Sequence, residues 1–201
     1  MSVATSTQTL LTPEEFLARP DRDRYELVDG ELVELSMSQL SSLVAWELGR
    51  LLGNFCTSTG IAWVFGADNG YRCFPGRPNL VRKPDVSVVL RERLPADRLS
   101  EGWSPLPPDV AVEVISPADL AYEVDEKVDE YQSAGVRLVW IVNPERRTVR
   151  VHRLDGTVSL LRAEDMLTGE DILPGFACQV AALFPAVEPP RTPTPETEPA
   201  G

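Results

Sequence analysis

Asp109-Val110-Ala111-Val112-Glu113-Val114-Ile115-Ser116-Pro117, read together with Leu138-Val139-Trp140-Ile141-Val142-Asn143-Pro144, decides the fold of this chain. Each is a short apolar run rich in β-branched residues, the composition of a buried strand. Between them, over roughly 118–134, Leu120, Val124, Val128 and Tyr131 recur at three- and four-residue steps, the period of an amphipathic helix. Ser116 is a candidate N-cap for that helix, and Pro117 suits its first position. A strand, a helix and a second strand predict a parallel pair joined by a right-handed crossover. The run 138–142 has no polar face, so it is expected at the centre of a sheet.

Working outward toward the N-terminus, Lys83-Pro84-Asp85-Val86-Ser87-Val88-Val89 reads as a further strand. Ile61-Ala62-Trp63-Val64-Phe65 and Gly70-Tyr71-Arg72-Cys73-Phe74 suggest two more. Residues 38–59 read as a long helix with Leu40, Val44, Leu48, Leu51, Leu52 and Phe55 on its apolar face and Gly60 as its stop. Tyr25 to Leu35 reads as a hairpin, because Asp29-Gly30 is a favoured two-residue turn between alternating strands. Thr12-Pro13-Glu14-Glu15 carries the signature of a capping box and opens a short helix ending near Arg19-Pro20. Toward the C-terminus, Thr148 to Leu154 alternates like an edge strand, and Thr157 to Arg162 reads as another hairpin, followed by a loop and Leu183-Phe184. Residues 1–9 and the Pro/Thr/Glu-rich tail 186–201 are expected to be disordered, leaving 10–185 as one domain. The fold class is α/β (or α+β), a mixed central sheet flanked by helices.

Bulk composition removes several functions. At 201 residues the chain suits a single domain with a sizeable core. No apolar run is long enough to span a membrane. Met1 to Thr7 lacks a basic and then apolar leader, so a cytoplasmic location is expected. Cys56, Cys73 and Cys178 are odd in number and far apart, which suits reduced thiols and neither a disulfide framework nor a Cys-x-x-Cys metal site. The single histidine, His152, excludes a multi-histidine zinc centre and is read as structural, since no activated nucleophile accompanies it. A net charge of −12 argues against broad binding to nucleic acid, which depends on neutralising phosphates. A nucleic-acid substrate therefore requires a local basic patch or a metal ion.

Two acids interrupt these apolar strands. Side chains alternate along a strand, so Glu113 shares a face with Asp109, Ala111 and Ile115, opposite an all-valine face that should pack on a helix. Asp85 likewise lies opposite Val86 and Val88. If the two strands are neighbours, both carboxylates can approach one ion, and oxygen donors suit Mg²⁺ or Mn²⁺ better than zinc. On the helix, Lys127 follows Val124 by three residues and precedes Tyr131 by four, which puts it on the apolar stripe. Asp125, Glu126, Asp129 and Glu130 are expected mostly on the wet side. A lysine facing the sheet needs a partner, and Glu113 or a phosphate would serve. Taken singly, a strand acid is usually a surface residue, and a lysine on such a stripe usually snorkels to water.

In order and spacing these segments resemble the Uma family (Uma-two) of restriction-endonuclease-like proteins, within the PD-(D/E)XK nuclease superfamily. The resemblance rests on Tyr25-Glu26-Leu27-Val28-Asp29-Gly30-Glu31, Lys83-Pro84-Asp85-Val86, Val112-Glu113-Val114-Ile115-Ser116-Pro117, and Glu126-Lys127 through Tyr131 to Val136, continuing into Val139 to Pro144. It covers roughly residues 10–185. It implies a restriction-endonuclease-like mixed sheet and an endonuclease hydrolysing phosphodiester bonds with Mg²⁺ or Mn²⁺. Asp85 and Glu113 would be catalytic and metal-binding, and Lys127 would be the catalytic lysine. The superfamily usually places its lysine two residues after the second acid, where this chain has Ile115. Glu26 and Ser116 are further candidates for the site. A histidine often found at the start of the long helix is replaced by Ser41. The partners implied are nucleic acid, DNA before RNA, with no membrane and, by analogy, a homodimer. A catalytically silent binding module on the same fold is the alternative.

Overall fold

The computed structural model describes residues 10–36 and 38–185; the segments expected to be disordered, 1–9 and 186–201, lie outside the described residues. The first helix, α1 (Pro13–Leu17), forms where its capping box predicts, with Thr12 and Glu15 exchanging side-chain and backbone hydrogen bonds. β1 (Tyr25–Val28) and β2 (Glu31–Glu34) pair as the expected hairpin. Asp29 and Gly30 both take positive φ, 50° and 92°, as a turn of this twist requires.

The long helix α2 (Gln39–Thr59) is capped by Ser38 and stops at Gly60, whose φ of 69° is left-handed. It is followed by β3 (Ala62–Gly66), β4 (Val86–Leu90), β5 (Val110–Val114), α3 (Ala121–Ser133), β6 (Leu138–Asn143), β7 (Thr148–Arg153) and β8 (Val158–Leu161). The six strands from β3 to β8 form one sheet in sequence order. Only the β5–β6 pair is parallel, as the strand–helix–strand pattern predicts.

From β4 to β6 the sheet buries both faces. On one side Val86, Val88, Val110, Val112 and Val114 pack with Val44, Leu48 and Leu52 of α2, so the all-valine face does meet a helix. On the other side Val89, Ala111, Val139 and Ile141 pack with Val124, Val128 and Tyr131 of α3 and with Tyr71 and Leu80. The N-terminal hairpin attaches through Phe16, Leu27 and Val81.

The structure corrects several expectations. Residues 70–74 form no strand; Tyr71 makes only isolated bridges to Arg82 and Ser104. Ser116 does not cap α3. Its backbone N–H donates to Asp119 Oδ2 at 2.6 Å, and this turn delays the helix to Ala121, with Leu120 at the N-cap. Leu120 therefore falls outside the stripe and is exposed. The strand carrying His152 is interior, because Val158–Leu161 pairs with its outer side and becomes the edge. Beyond it, a stretch read as loop forms a second hairpin, β9 (Met166–Gly169) with β10 (Leu173–Gln179). Leu167, Leu173 and Phe176 of that hairpin close the α2-side core. Cys56 and Cys178 are buried, and all three cysteines are free thiols.

Candidate active site

Asp85 stands one residue before β4. The register Val86↔Val112 continues to Asp85 against Glu113, so the two acids sit side by side on the face that α3 covers. The Val114 N–H donates to Asp85 Oδ2 at 2.7 Å, which fixes that carboxylate across the strand end. Glu113 is buried, and α3 supplies its partners. Tyr131 donates its hydroxyl to Oε1 at 2.7 Å, and the Lys127 ammonium donates to Oε2 at 3.0 Å. Lys127 reaches the sheet because it shares a helix face with the buried Val124, Val128 and Tyr131.

A third carboxylate arrives from the hairpin. Leu27 and Val81 exchange backbone hydrogen bonds at 3.1 and 2.7 Å, which holds β1 against the segment leading to Asp85. Glu26, next to Leu27, is buried there. Its Oε1 accepts the Lys83 N–H at 2.7 Å, and its Oε2 accepts Arg82 Nη1 at 2.9 Å and lies 3.2 Å from Lys127 Nζ. Arg82 in turn donates Nε to Glu130 at 2.5 Å, and Glu130 also accepts from Arg77, which grips Asp29 with two nitrogens. Lys127, Glu26, Arg82, Glu130, Arg77 and Asp29 thus form one chain of alternating charge, from the site to the hairpin turn.

Protonation follows these contacts. Burial pushes Asp85 up from an ordinary 3.8 to about 7, with the neighbouring Glu113 adding to the rise. Glu113 is also raised, by burial above all, although Lys127 and Tyr131 oppose it. Glu26 is buried too, yet Lys127 and Arg82 outweigh that cost and hold it below its ordinary value. Burial works against the Lys127 charge, but Glu113 and Glu26 prevail and keep its ammonium well above the usual lysine value. Lys127 is therefore a hydrogen-bond donor at neutral pH and unsuited to act as a base.

Asp85, Glu113, Lys127 and Glu26 line one cavity of about 480 Å³, walled by Lys83, Ile115, Glu123 and the β2 exit. The structure thus brings together the three principal candidates and Glu26. Ser116 stands apart from the lining, its hydroxyl hydrogen-bonded to that of Ser36. Ser41, in the place of the anticipated histidine, is occupied in the α2 capping box with Ser38 and does not line the cavity.

The donor set fits a hard divalent cation. Two carboxylates share one face, and neither histidine nor cysteine is among the lining residues that a softer metal would prefer. Among the described residues no group of three or more Asp, Glu, His or Cys gathers as a ready ligand cage. A pair is enough for Mg²⁺, which keeps several waters and takes one or two carboxylates.

Sequence reasoning missed the supports of this site. Glu130 is not on the wet side: it is buried between Arg82 and Arg77. Tyr131 is more than a stripe residue, since its hydroxyl ends on Glu113. Arg82-Lys83 offered a signal, two cations between the apolar pair Leu80-Val81 and the Pro84-Asp85 strand start.

Comparison with known proteins adds three findings. The family model "Uma2: Putative restriction endonuclease" matches residues 13–181. A crystal structure from Anabaena variabilis, titled as a "putative nuclease belonging to DUF820", superposes with a TM-score of 0.73 at 21% identity. The superposition covers 87% of this chain and 97% of that one, a likeness of fold. No curated protein matches the chain.

Proposed function

The chain belongs to the Uma2 family, and from that premise we propose that it is a metal-dependent endonuclease that hydrolyses phosphodiester bonds of nucleic acid. The observation that carries this reading is the convergence of Asp85, Glu113 and Lys127 on one cavity. Mg²⁺ or Mn²⁺ held by Asp85 and Glu113 would supply a polarised phosphoryl oxygen and a more acidic water. Lys127, kept protonated by Glu113 and Glu26, is placed to orient the attacking water or to stabilise charge on the phosphoryl oxygens. Tyr131 holds Oε1 of Glu113, so Oε2 stays directed at Lys127. Glu26 acts through Lys127 and is a positioning residue. DNA is the preferred substrate class and RNA the second.

Cleavage of DNA and RNA, with Mg²⁺, with Mn²⁺ and with chelator, tests the reading. Wild-type protein should cut only with metal, and Asp85→Ala and Glu113→Gln should each remove activity. Equal cleavage by wild type and both variants would discard the assignment.

One observation favours a second reading, a catalytically silent binding module. The Lys127 ammonium already compensates Glu113, and among the described residues Asp85, Glu113 and the nearby Glu26 do not gather as a ligand cage. Calorimetry with Mg²⁺ or Mn²⁺ separates the two, since the silent module predicts no ion at Asp85 and Glu113.

A further inference from the structure

A second groove of about 880 Å³ adjoins the site cavity and shares Ile115, Asp119 and Val124 with it. Its outer lining includes Arg146, Arg150 and Arg162. The sheet register explains the alignment. Glu113 pairs with Ile141, Ile141 with Arg150 and Arg150 with Leu160, so the four stand in one cross-strand row. Residues in such a row project from the same face. Arg150 is thus two strand spacings from Glu113, about 10 Å. Arg146 lies in the turn that follows β6, and Arg162 directly follows β8. β5, β6 and β8 all run in one direction, so Glu113, Arg146 and Arg162 gather at the same end of the sheet.

These cations are uncommon in this chain. Most of its arginines are matched to an acid; Arg77, Arg82, Arg93 and Arg153 are examples. Among the described residues neither Arg146 nor Arg162 makes an ion pair, and Arg150 has only Asp125, 4.0 Å away. Asp119 is the acid in the groove's lining, Asp125 stands beside Arg150, and Asp165 accepts the backbone N–H of Arg162. A chain of net charge −12 repels a polyanion on the whole, so a place where unmatched cations gather is where one can lie. Arg91, Arg98 and Arg147 are also without an ion pair among the described residues, but Arg91 and Arg147 are stacked on Trp63 and Phe184. Guanidinium groups suit phosphate oxygens because their fork donates two hydrogen bonds at once.

We propose that this groove, through Arg146, Arg150 and Arg162, holds the phosphate backbone of the nucleic-acid strand whose scissile bond reaches Asp85 and Glu113. The proposal rests on the nuclease reading above and extends it. A track that reaches two strand spacings past the acid pair contacts phosphates beyond the one being cut. The substrate is then a polymer, and a mononucleotide would leave the track empty.

The test is binding of fluorescently labelled DNA and RNA oligonucleotides by anisotropy, across a salt series, on an Asp85→Asn background that prevents cleavage. Adding Arg146→Glu and Arg162→Glu together should weaken binding at least tenfold. The pair Arg146→Gln and Arg162→Gln should flatten the dependence of log affinity on log salt by about 2, roughly one per lost phosphate contact. Arg146→Lys with Arg162→Lys should largely retain the slope. Thermal melts confirm that each variant is folded. Unchanged affinity and slope in both the Glu and the Gln pairs overturn the groove, while metal-dependent cleavage lost in Asp85→Ala still upholds the nuclease reading. No cleavage by wild type sinks the nuclease reading instead, and the groove then stands only if oligonucleotides bind and the Glu pair releases them. Absence of binding by the background protein overturns it.

Discussion

The ammonium of Lys127 lies 3.0 Å from Oε2 of Glu113, and both groups are largely withdrawn from water. The lysine therefore has two duties, to neutralise a buried acid and to present a proton donor to the cavity. Lys127→Ala should separate them. Removing one partner of a buried pair commonly costs about 3–5 kcal/mol, because the remaining charge is left uncompensated. Glu26 retains Arg82, so the loss here belongs at the lower end of that range, about 3 kcal/mol, measured by urea unfolding in chelator. Cleavage should fall by about 10²-fold or more even where the variant is fully folded. A Lys127→Ala protein with wild-type turnover would remove the lysine from the chemistry.

Tyr131→Phe isolates a single hydrogen bond. The hydroxyl donates to Glu113 Oε1 at 2.7 Å, and the ring is fully buried, so the substitution changes little else. A bond to a charged acceptor contributes about 1.5–3 kcal/mol, which in a chain of this size lowers Tm by several degrees. Losing a donor to the ionised form also raises the Glu113 pKa further. The acidic limb of the pH–rate profile should move to higher pH, a displacement that loss of packing alone does not produce.

Much of this arrangement was legible in the sequence. Asp29-Gly30 marked the hairpin, Gly60 ended α2, and the acids in two apolar strands with a lysine on the stripe pointed to one site. These are local or periodic signals. What escaped depended on contacts distant in sequence. Glu130 reads as solvated from its helix alone, and only Arg82 and Arg77, about fifty residues earlier, draw it inward. The β9–β10 hairpin is two short strands with a shifted register, and its reason to form is the α2-side core that Leu167 and Phe176 complete. Ser116 followed capping preference correctly in type, but the Asp119 carboxylate took its N–H and moved the helix start.

Stability should respond to pH in the direction set by the raised acids. Asp85 moves from an ordinary 3.8 to about 7 in the folded chain, so between those values the native state binds more protons than the unfolded one. Stability is then lost as pH rises through that window, by an amount on the order of a few kcal/mol. Glu113 acts in the same sense. Glu26, held low, acts oppositely and loses its contribution only as pH falls below the ordinary range. Thermal melts in chelator should show the neutral-pH protein less stable than at about pH 5, and Asp85→Asn should flatten that difference. Mg²⁺ should raise Tm more at about pH 8 than at about pH 5, since a cation binds the ionised pair. Equal Mg²⁺ effects at both values would deny the acids any role in holding it.

Arg82, a buried residue of the cavity wall, lets the site be probed through the ion-pair chain behind Lys127. Its guanidinium spans Glu26 at 2.9 Å and Glu130 at 2.5 Å, with only about 5% of the side chain exposed. Burial disfavours its charge, but the two glutamates outweigh that and hold it fully protonated. Lysine at this position keeps the charge and loses the fork, whose Nη1 and Nε hold Glu26 and Glu130 at two separate points in a fixed geometry that a single ammonium does not reproduce. Arg82→Lys should therefore leave the chain folded, at a cost of about 1–3 kcal/mol for the bond it cannot make. Glu26, less firmly held, should turn more fully toward Lys127, so the ammonium spends less of its donor capacity on Glu113 and the cavity. The expected signature is a fall in kcat with KM for an oligonucleotide nearly unchanged, because Arg82 does not adjoin the arginine groove. A double-mutant cycle with Glu130→Gln should show coupling between the two positions in stability. If KM rises while kcat holds, the chain from Asp29 to Lys127 supports substrate binding, and its part in positioning Lys127 is excluded.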